Sequence, residues 1–160
     1  MIDPARWMTE ENIDLELSAD SELQTITAML ELARNSGAVR DIKQLAQALL
    51  QHEVLSPSLS GCCAVIFQAV SEAVTDPRIF LGRFDKGIGY YSRNGRPVDL
   101  VVLIAAPPEN VDELTRIIDE TKRMLNEPSV REHLRSVQTK EKALEAFLPG
   151  LSNTRRGKKQ

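Results

Sequence analysis

Between Pro97 and Pro107 the chain reads Val-Asp-Leu-Val-Val-Leu-Ile-Ala-Ala. Leu100, Val101, Val102, Leu103 and Ile104 form an unbroken apolar run rich in β-branched residues. A strand with one face in water alternates apolar and polar positions, and this one does not. The pattern is that of a strand buried on both faces. Proline cannot donate to a β-ladder, so Pro97 opens the run and Pro107 with Pro108 closes it. A mixed β-sheet with helices on both faces follows, an α/β sandwich with residues 98–106 as its central strand.

The flanking sequence supplies the helices. Ile13, Leu15 and Leu17 alternate with Asp14 and Glu16, a half-buried strand over residues 12–17. Asp20 or Ser21 caps a helix whose stripe is Leu23, Ile26, Met29, Leu30 and Ala33, ending at Gly37. Asp41 caps a second helix with the stripe Ile42, Leu45, Ala46, Leu49 and Leu50. Residues 56–61 are a loop by composition. Residues 62–67 are apolar throughout, and periodicity leaves two readings: a buried strand, or a helix running to Val74. Thr75, Asp76 and Pro77 break the chain before a short strand over residues 79–84. Asp85, Lys86 and Gly87 then form a turn, Tyr90 and Tyr91 a further short strand, and Asn94-Gly95 a hairpin turn. Beyond the central strand, Asn110 caps a helix to about Leu125, with Leu114, Ile117, Ile118, Thr121 and Leu125 inward. Pro128 begins another helix, with Val130 and Leu134 inward. A last helix carries Leu144, Phe147 and Leu148 and stops at Pro149-Gly150.

The 160 residues suit one domain, taken as residues 12–150, with a loose lead-in at 1–11 that Trp7 pins and a disordered basic tail at 151–160. Aromatics are only 4% of the chain, so aliphatic side chains fill the core. A net charge of −3 argues against nucleic acid or an acidic membrane as partner. No apolar stretch reaches the roughly 18 residues that span a bilayer, and the acidic N-terminus does not read as a signal peptide. Cys62 and Cys63 are adjacent and imply no disulfide framework, which places the chain in the cytoplasm. Adjacent cysteines point apart in a strand, so Cys62, Cys63 and His52 are not taken as a metal set; the cysteines are read as packing residues. His52, in the last turn of the second helix, and His133, in a late surface helix, read as solvated side chains.

In this order, Leu81-Gly82-Arg83, Gly87-Ile88, Asn94-Gly95-Arg96-Pro97-Val98-Asp99-Leu100, the exit Leu103 to Pro107, and Thr139-Lys140-Glu141 resemble the enzyme IIA domain of the bacterial phosphotransferase system, of the fructose–mannitol and nitrogen-regulatory class. The resemblance covers residues 12–148 and implies that family's sandwich. It also implies an activity: accepting a phosphoryl group on one histidine from a histidine phosphocarrier protein and passing it on. Neutral imidazole suits that task near pH 7, and a nearby arginine neutralises the transferring charge. Laid without a gap, the family's Arg-Glu pair falls on His52 and Glu53. The threonine of its Ser-Thr-Gly falls on Ser58, and its Pro-His pair on Phe67 and Gln68. A second family histidine falls on Glu113. The phosphoacceptor position thus holds Gln68, whose amide is not a nucleophile, and the arginine position holds His52.

The resemblance therefore implies a degenerate domain. It would be a regulatory or binding module without catalytic residues, its binding residues being His52, Glu53, Ser58, Gln68 and Glu113. A protein partner, from the phosphotransferase system or a regulatory one, is expected, and a small ligand is allowed. No cofactor or metal is expected. Two alternatives stand beside it: an active phosphocarrier using His52 as a displaced acceptor, and a small-molecule sensor built around Gln68, Glu53 and Ser58.

Overall fold

The computed structural model describes residues 4–55, 64–88 and 98–159, with side chains for residues 5–51, 64–85 and 98–149. Four strands, β1 (Ile13–Leu17), β2 (Ala64–Val70), β3 (Arg78–Ile88) and β4 (Val98–Ala106), form one mixed sheet in the order β1-β3-β4-β2. β4 lies between an antiparallel neighbour, β3, and a parallel one, β2. Every residue of β4 from Leu100 to Ala106 is fully buried, as the apolar run requires.

The pleat sends alternate residues to two separate cores. Ile66, Leu100, Val102 and Ile104 face one side, with Leu114, Ile117, Leu125, Leu134 and Phe147. Those last five belong to α3 (Val111–Leu125), α4 (Pro128–Ser136) and α5 (Lys140–Lys159). Val65, Phe67, Val101 and Leu103 face the other, with Ile26, Met29, Leu45 and Leu49 from α1 (Glu22–Asn35) and α2 (Ile42–Leu55). The ambiguous apolar stretch is therefore a strand in its described part: β2 is buried on both faces from Ala64 to Phe67. Periodicity did not separate it from a helix, because a strand buried on both faces loses its alternation.

Local chemistry sets the helix ends. The Ser21 hydroxyl accepts from the Gln24 amide at the start of α1, so Ser21 rather than Asp20 is the cap. Gly37, just past α1, has φ +79°, the left-handed conformation that a β-carbon disfavours. The Asp41 carboxylate accepts from the amides of Lys43 and Gln44. Thr139 Oγ1 accepts from the Lys142 amide at the start of α5. Gly82 permits close packing: a β-carbon there would lie 2.7 Å from Met29 Sδ and 2.8 Å from Leu17 Cδ1, so those side chains would have to move.

Four expectations are corrected. Residues 85–87 are not a turn; β3 continues through them to Ile88, which pairs with Val98 across an irregularity in the ladder. Pairing of the flanking residues Arg83 and Ile88 to a central strand overrides the turn preference of the Asp-Lys-Gly triplet between them. The lead-in is packed rather than loose. Trp7 and Met8 are buried, Trp7 O accepts from Ile79 N at 2.7 Å, and short 3-10 turns span Pro4–Arg6 and Glu10–Asn12. The stretch expected to be a disordered tail is helical, because α5 passes Pro149 and runs to Lys159. Proline removes one intrahelical donor without ending every helix. Leu23 and Leu50 leave the inner stripes, being 69% and 42% exposed, while Thr25 and Ala48 turn inward or half inward. Residues 56–61, Cys62, Cys63, Tyr90, Tyr91 and the Asn94-Gly95 turn lie outside the described residues.

Candidate functional site

Parallel pairing of β2 with β4 sets Gln68 opposite Ile104, near the C-terminal ends of both strands. In α/β sheets, loops and function gather at that end. β2 is an edge strand, and helices from the two layers, α2 and α3, overhang its edge. They enclose a groove of 380 Å³ lined by Ala48 and Gln51 from α2, Gln68, Ala69 and Val70 from β2, and Val111, Leu114 and Thr115 from α3. A second hollow of 310 Å³ continues it past shared residues Ala48, Gln51 and Val70 to Gln44, Gln47, Ser71, Glu72 and Pro108.

The side chains of the groove have definite local partners. Thr115 Oγ1 donates to the Val111 carbonyl, leaving its lone pairs for the groove. Ser71 Oγ accepts from the Ala73 amide, and Ser71 N donates to Ala106 O at the end of β4. Gln68 is half-buried. Glu72 is the single charged residue of the combined lining, and no arginine, lysine or histidine lines it among the described residues. Val70 and Val111, 39% and 45% exposed, put apolar surface at its rim. The site can therefore offer neutral hydrogen-bonding groups beside aliphatic surface, and its described part holds no nucleophile of ordinary reactivity and no cation to balance a phosphate.

The residues singled out from the sequence are distributed unevenly. Gln68 lines the groove. His52 and Glu53 lie in the last turn of α2, directly after the groove residue Gln51, and their side chains are outside the described residues. Ser58 is outside them altogether. Glu113 is half-buried in the first turn of α3 and is not a lining residue; its carboxylate accepts from Asn110 Nδ2 at 2.7 Å. Phe67 packs into the core against α1 and α2. The lining residues Gln44, Gln47 and Gln51 were not singled out from sequence. Their spacing of three and four along α2 was the available signal, since it sets three carboxamides on one helix face.

At the other end of the sheet, cations are used inside the fold. Arg83 of β3, opposite Leu100, donates to the carbonyls of Leu15, Leu134, Arg135 and Val137. Arg135 makes a bidentate pair with Asp99 of β4, at 2.5 and 3.0 Å. Both arginines bind the C-terminal end of α4 to the sheet, where carbonyls favour positive charge.

Comparison with known proteins agrees with this architecture. The family model of the phosphoenolpyruvate-dependent sugar phosphotransferase system, EIIA 2, matches residues 6–149. A fructose-specific EIIA component of Haloferax volcanii is 28% identical over 131 residues, covering 82% of this chain and 85% of that protein. The nitrogen regulatory protein IIA-Ntr of Neisseria meningitidis superposes with a TM-score of 0.78 at 18% identity, over 88% of this chain and 95% of that one. Enzyme IIA of the mannitol system from Escherichia coli, solved in complex with its phosphorylated enzyme IIB, superposes with a TM-score of 0.67 at 25% identity, over 86% and 94%. By its sequence match and its fold, the chain belongs to the EIIA 2 family of the phosphoenolpyruvate-dependent sugar phosphotransferase system.

Proposed function

We propose that this domain is a degenerate member of its family, a regulatory or binding module that does not transfer phosphoryl groups. The observation that carries the reading is Gln68. A carboxamide, half-buried in the groove beneath α2 and α3, stands at the position that the sequence resemblance assigns to the phosphoacceptor histidine. An amide nitrogen has its lone pair delocalised into the carbonyl and does not attack phosphorus. No cation lines the groove among the described residues, which supports the same reading, because phosphoryl transfer is helped by positive groups placed around the migrating charge.

The working partner is then a protein recognised without phosphate exchange. The mannitol relative is known in a complex with its enzyme IIB; a regulatory or phosphotransferase-system protein docking at the groove end of this domain is the proposal here. The proposed compartment is the cytoplasm. Among the described residues no helix is long and apolar enough to cross a membrane. His52, Glu53, Ser58 and Glu113 remain proposed members of the site beside Gln68.

One observation favours a second reading. Gln51 lines the groove, and His52 follows it in α2. His52 as a displaced acceptor is therefore the competing proposal. Incubation with phosphoenolpyruvate, enzyme I and the histidine phosphocarrier protein, followed by intact mass measurement, decides between them. The wild type is expected to stay unmodified and Gln68→His to accept phosphate weakly at most. The triple variant Gln68→His, His52→Arg, Glu113→His is expected to exceed the sum of its single changes. An acid-labile phosphate on His52 of the wild type would overturn the favoured reading. Robust labelling of Gln68→His alone would show that only the nucleophile is missing.

A further inference from the structure

Apart from Glu72, the described lining of the combined groove carries no charge: Gln44, Gln47, Gln51, Gln68, Ser71 and Thr115 both donate and accept hydrogen bonds, and the remaining lining residues are apolar. Gln44, Gln47 and Gln51 stand at helical spacing along α2 and are exposed to the hollow. Each carboxamide offers two N–H donors and a carbonyl acceptor. Across from them, Thr115 has spent its proton on Val111 and presents lone pairs, while Ser71 has accepted from Ala73 and retains its proton to give. Between these polar rows lie Ala48, Ala69, Val70, Val111, Leu114 and Pro108.

This combination discriminates by charge. An anion finds no described cation in the lining and meets Glu72 at one end. Desolvating a phosphate or carboxylate beside a carboxylate carries an uncompensated cost. A purely apolar ligand would leave the carboxamides without partners. A hydroxyl group, by contrast, donates and accepts at once and so pairs with a carboxamide in either sense. Several hydroxyls on a short aliphatic frame would match alternating carboxamide and C–H surface. The main volume, 380 Å³, lies within the range of small-molecule sites.

We infer that this groove binds an uncharged polyhydroxylated small molecule, of the sugar or polyol class, and discriminates against its phosphorylated form. The inference rests on the reading that the site no longer handles phosphate, and it extends that reading by naming the ligand class. Binding of this kind is weak, because each hydrogen bond formed replaces one to water; a dissociation constant on the order of 1 to 10 mM is expected.

The test is a titration of the full chain, isotopically labelled, with glucose and separately with glucose 6-phosphate, following backbone amide resonances. Saturable shifts at Ala48, Gln51, Val70 and Thr115 are expected with glucose. Binding of glucose 6-phosphate should be weaker by about tenfold. Gln51→Ala, at an exposed helix position, should weaken glucose by about fivefold without altering the rest of the spectrum, and Gln47→Ala should do so by less. Absence of saturable shifts with glucose overturns the proposal, as does unchanged affinity in both variants. Preference for glucose 6-phosphate overturns it too. If the wild type then also stays unphosphorylated in the phosphocarrier assay, only the ligand class has failed; if it is labelled, the degenerate reading has failed with it.

Discussion

The N-terminal end of β4 and the groove beside its C-terminal end use charge differently. At its N-terminal end, Asp99 pairs with Arg135, and Arg83 on the neighbouring strand donates to four backbone carbonyls. At its C-terminal end, the groove beside Gln68 holds carboxamides, hydroxyls and aliphatic side chains. A guanidinium fixed on the carbonyls of a helix terminus is committed to the fold and unavailable to a ligand. Arg83 and Arg135 thus serve architecture, as does Arg78 of β3, opposite Ala105, which donates to the Pro77 carbonyl; among the described residues no cation lines the groove.

The comparison breaks most sharply through the core on which both ends depend. Leu103 is fully buried among Leu45, Leu49 and Phe80. Leu103→Ala should lose about 2 to 5 kcal/mol in urea unfolding, because the vacated volume is only partly refilled. A loss below about 0.5 kcal/mol would mean that β4 is not the centre of the fold.

Arg83→Met comes next. It keeps the aliphatic stem and removes the donors, leaving carbonyls at the end of α4 without partners. The expected loss is about 2 kcal/mol. A midpoint unchanged from the wild type would show that water replaces the guanidinium at no cost, and the contrast between the two ends would lose its structural half.

Asp99→Asn should cost less, about 1 kcal/mol, because the pair is partly exposed and its charges are screened. The loss should shrink in molar salt. A loss that is independent of salt would assign the effect to packing instead of charge.

At the groove end, Gln51→Ala is expected to change stability by less than about 0.5 kcal/mol. The side chain is an exposed one on a helix, and alanine is the better helix former. A loss comparable to that of Arg83→Met would show that the groove carboxamides hold the fold together, and would remove the distinction between an architectural and a ligand-facing end.

Much of the architecture was legible in the sequence because it rests on short-range patterning. The unbroken run from Leu100 to Ile104 required burial on both faces, and the strand is buried on both faces. The alternation of Ile13, Leu15 and Leu17 with acids required a half-covered strand, and β1 is one, with Glu16 exposed. Ser21, Asp41 and Gly37 marked helix ends by local hydrogen bonding and backbone conformation. Each of these depends on residues a few positions apart, and periodicity records such relations directly.

The tertiary structure decided what depends on distant partners. Residues 85–87 look like a turn in isolation, but they lie within β3 between Arg83 and Ile88, which pair with β4 on either side of an irregularity in the ladder. Trp7 and Met8 precede any recognisable element, yet the space against the sheet and α5 buries them. Leu23 and Leu50 continue an apolar stripe in sequence, but they lie on parts of α1 and α2 that the rest of the fold leaves exposed. The groove was the least legible feature. Gln68 was found through its place in a motif, whereas Gln44, Gln47, Gln51, Val111 and Thr115 acquire meaning only when parallel pairing of β2 to β4 brings α2 and α3 over one edge. Sequence alone determines which faces must be covered, because burial follows side-chain chemistry along a local repeat. Which covered edges meet to make a site is set by strand order, and strand order is a relation among segments far apart in the chain.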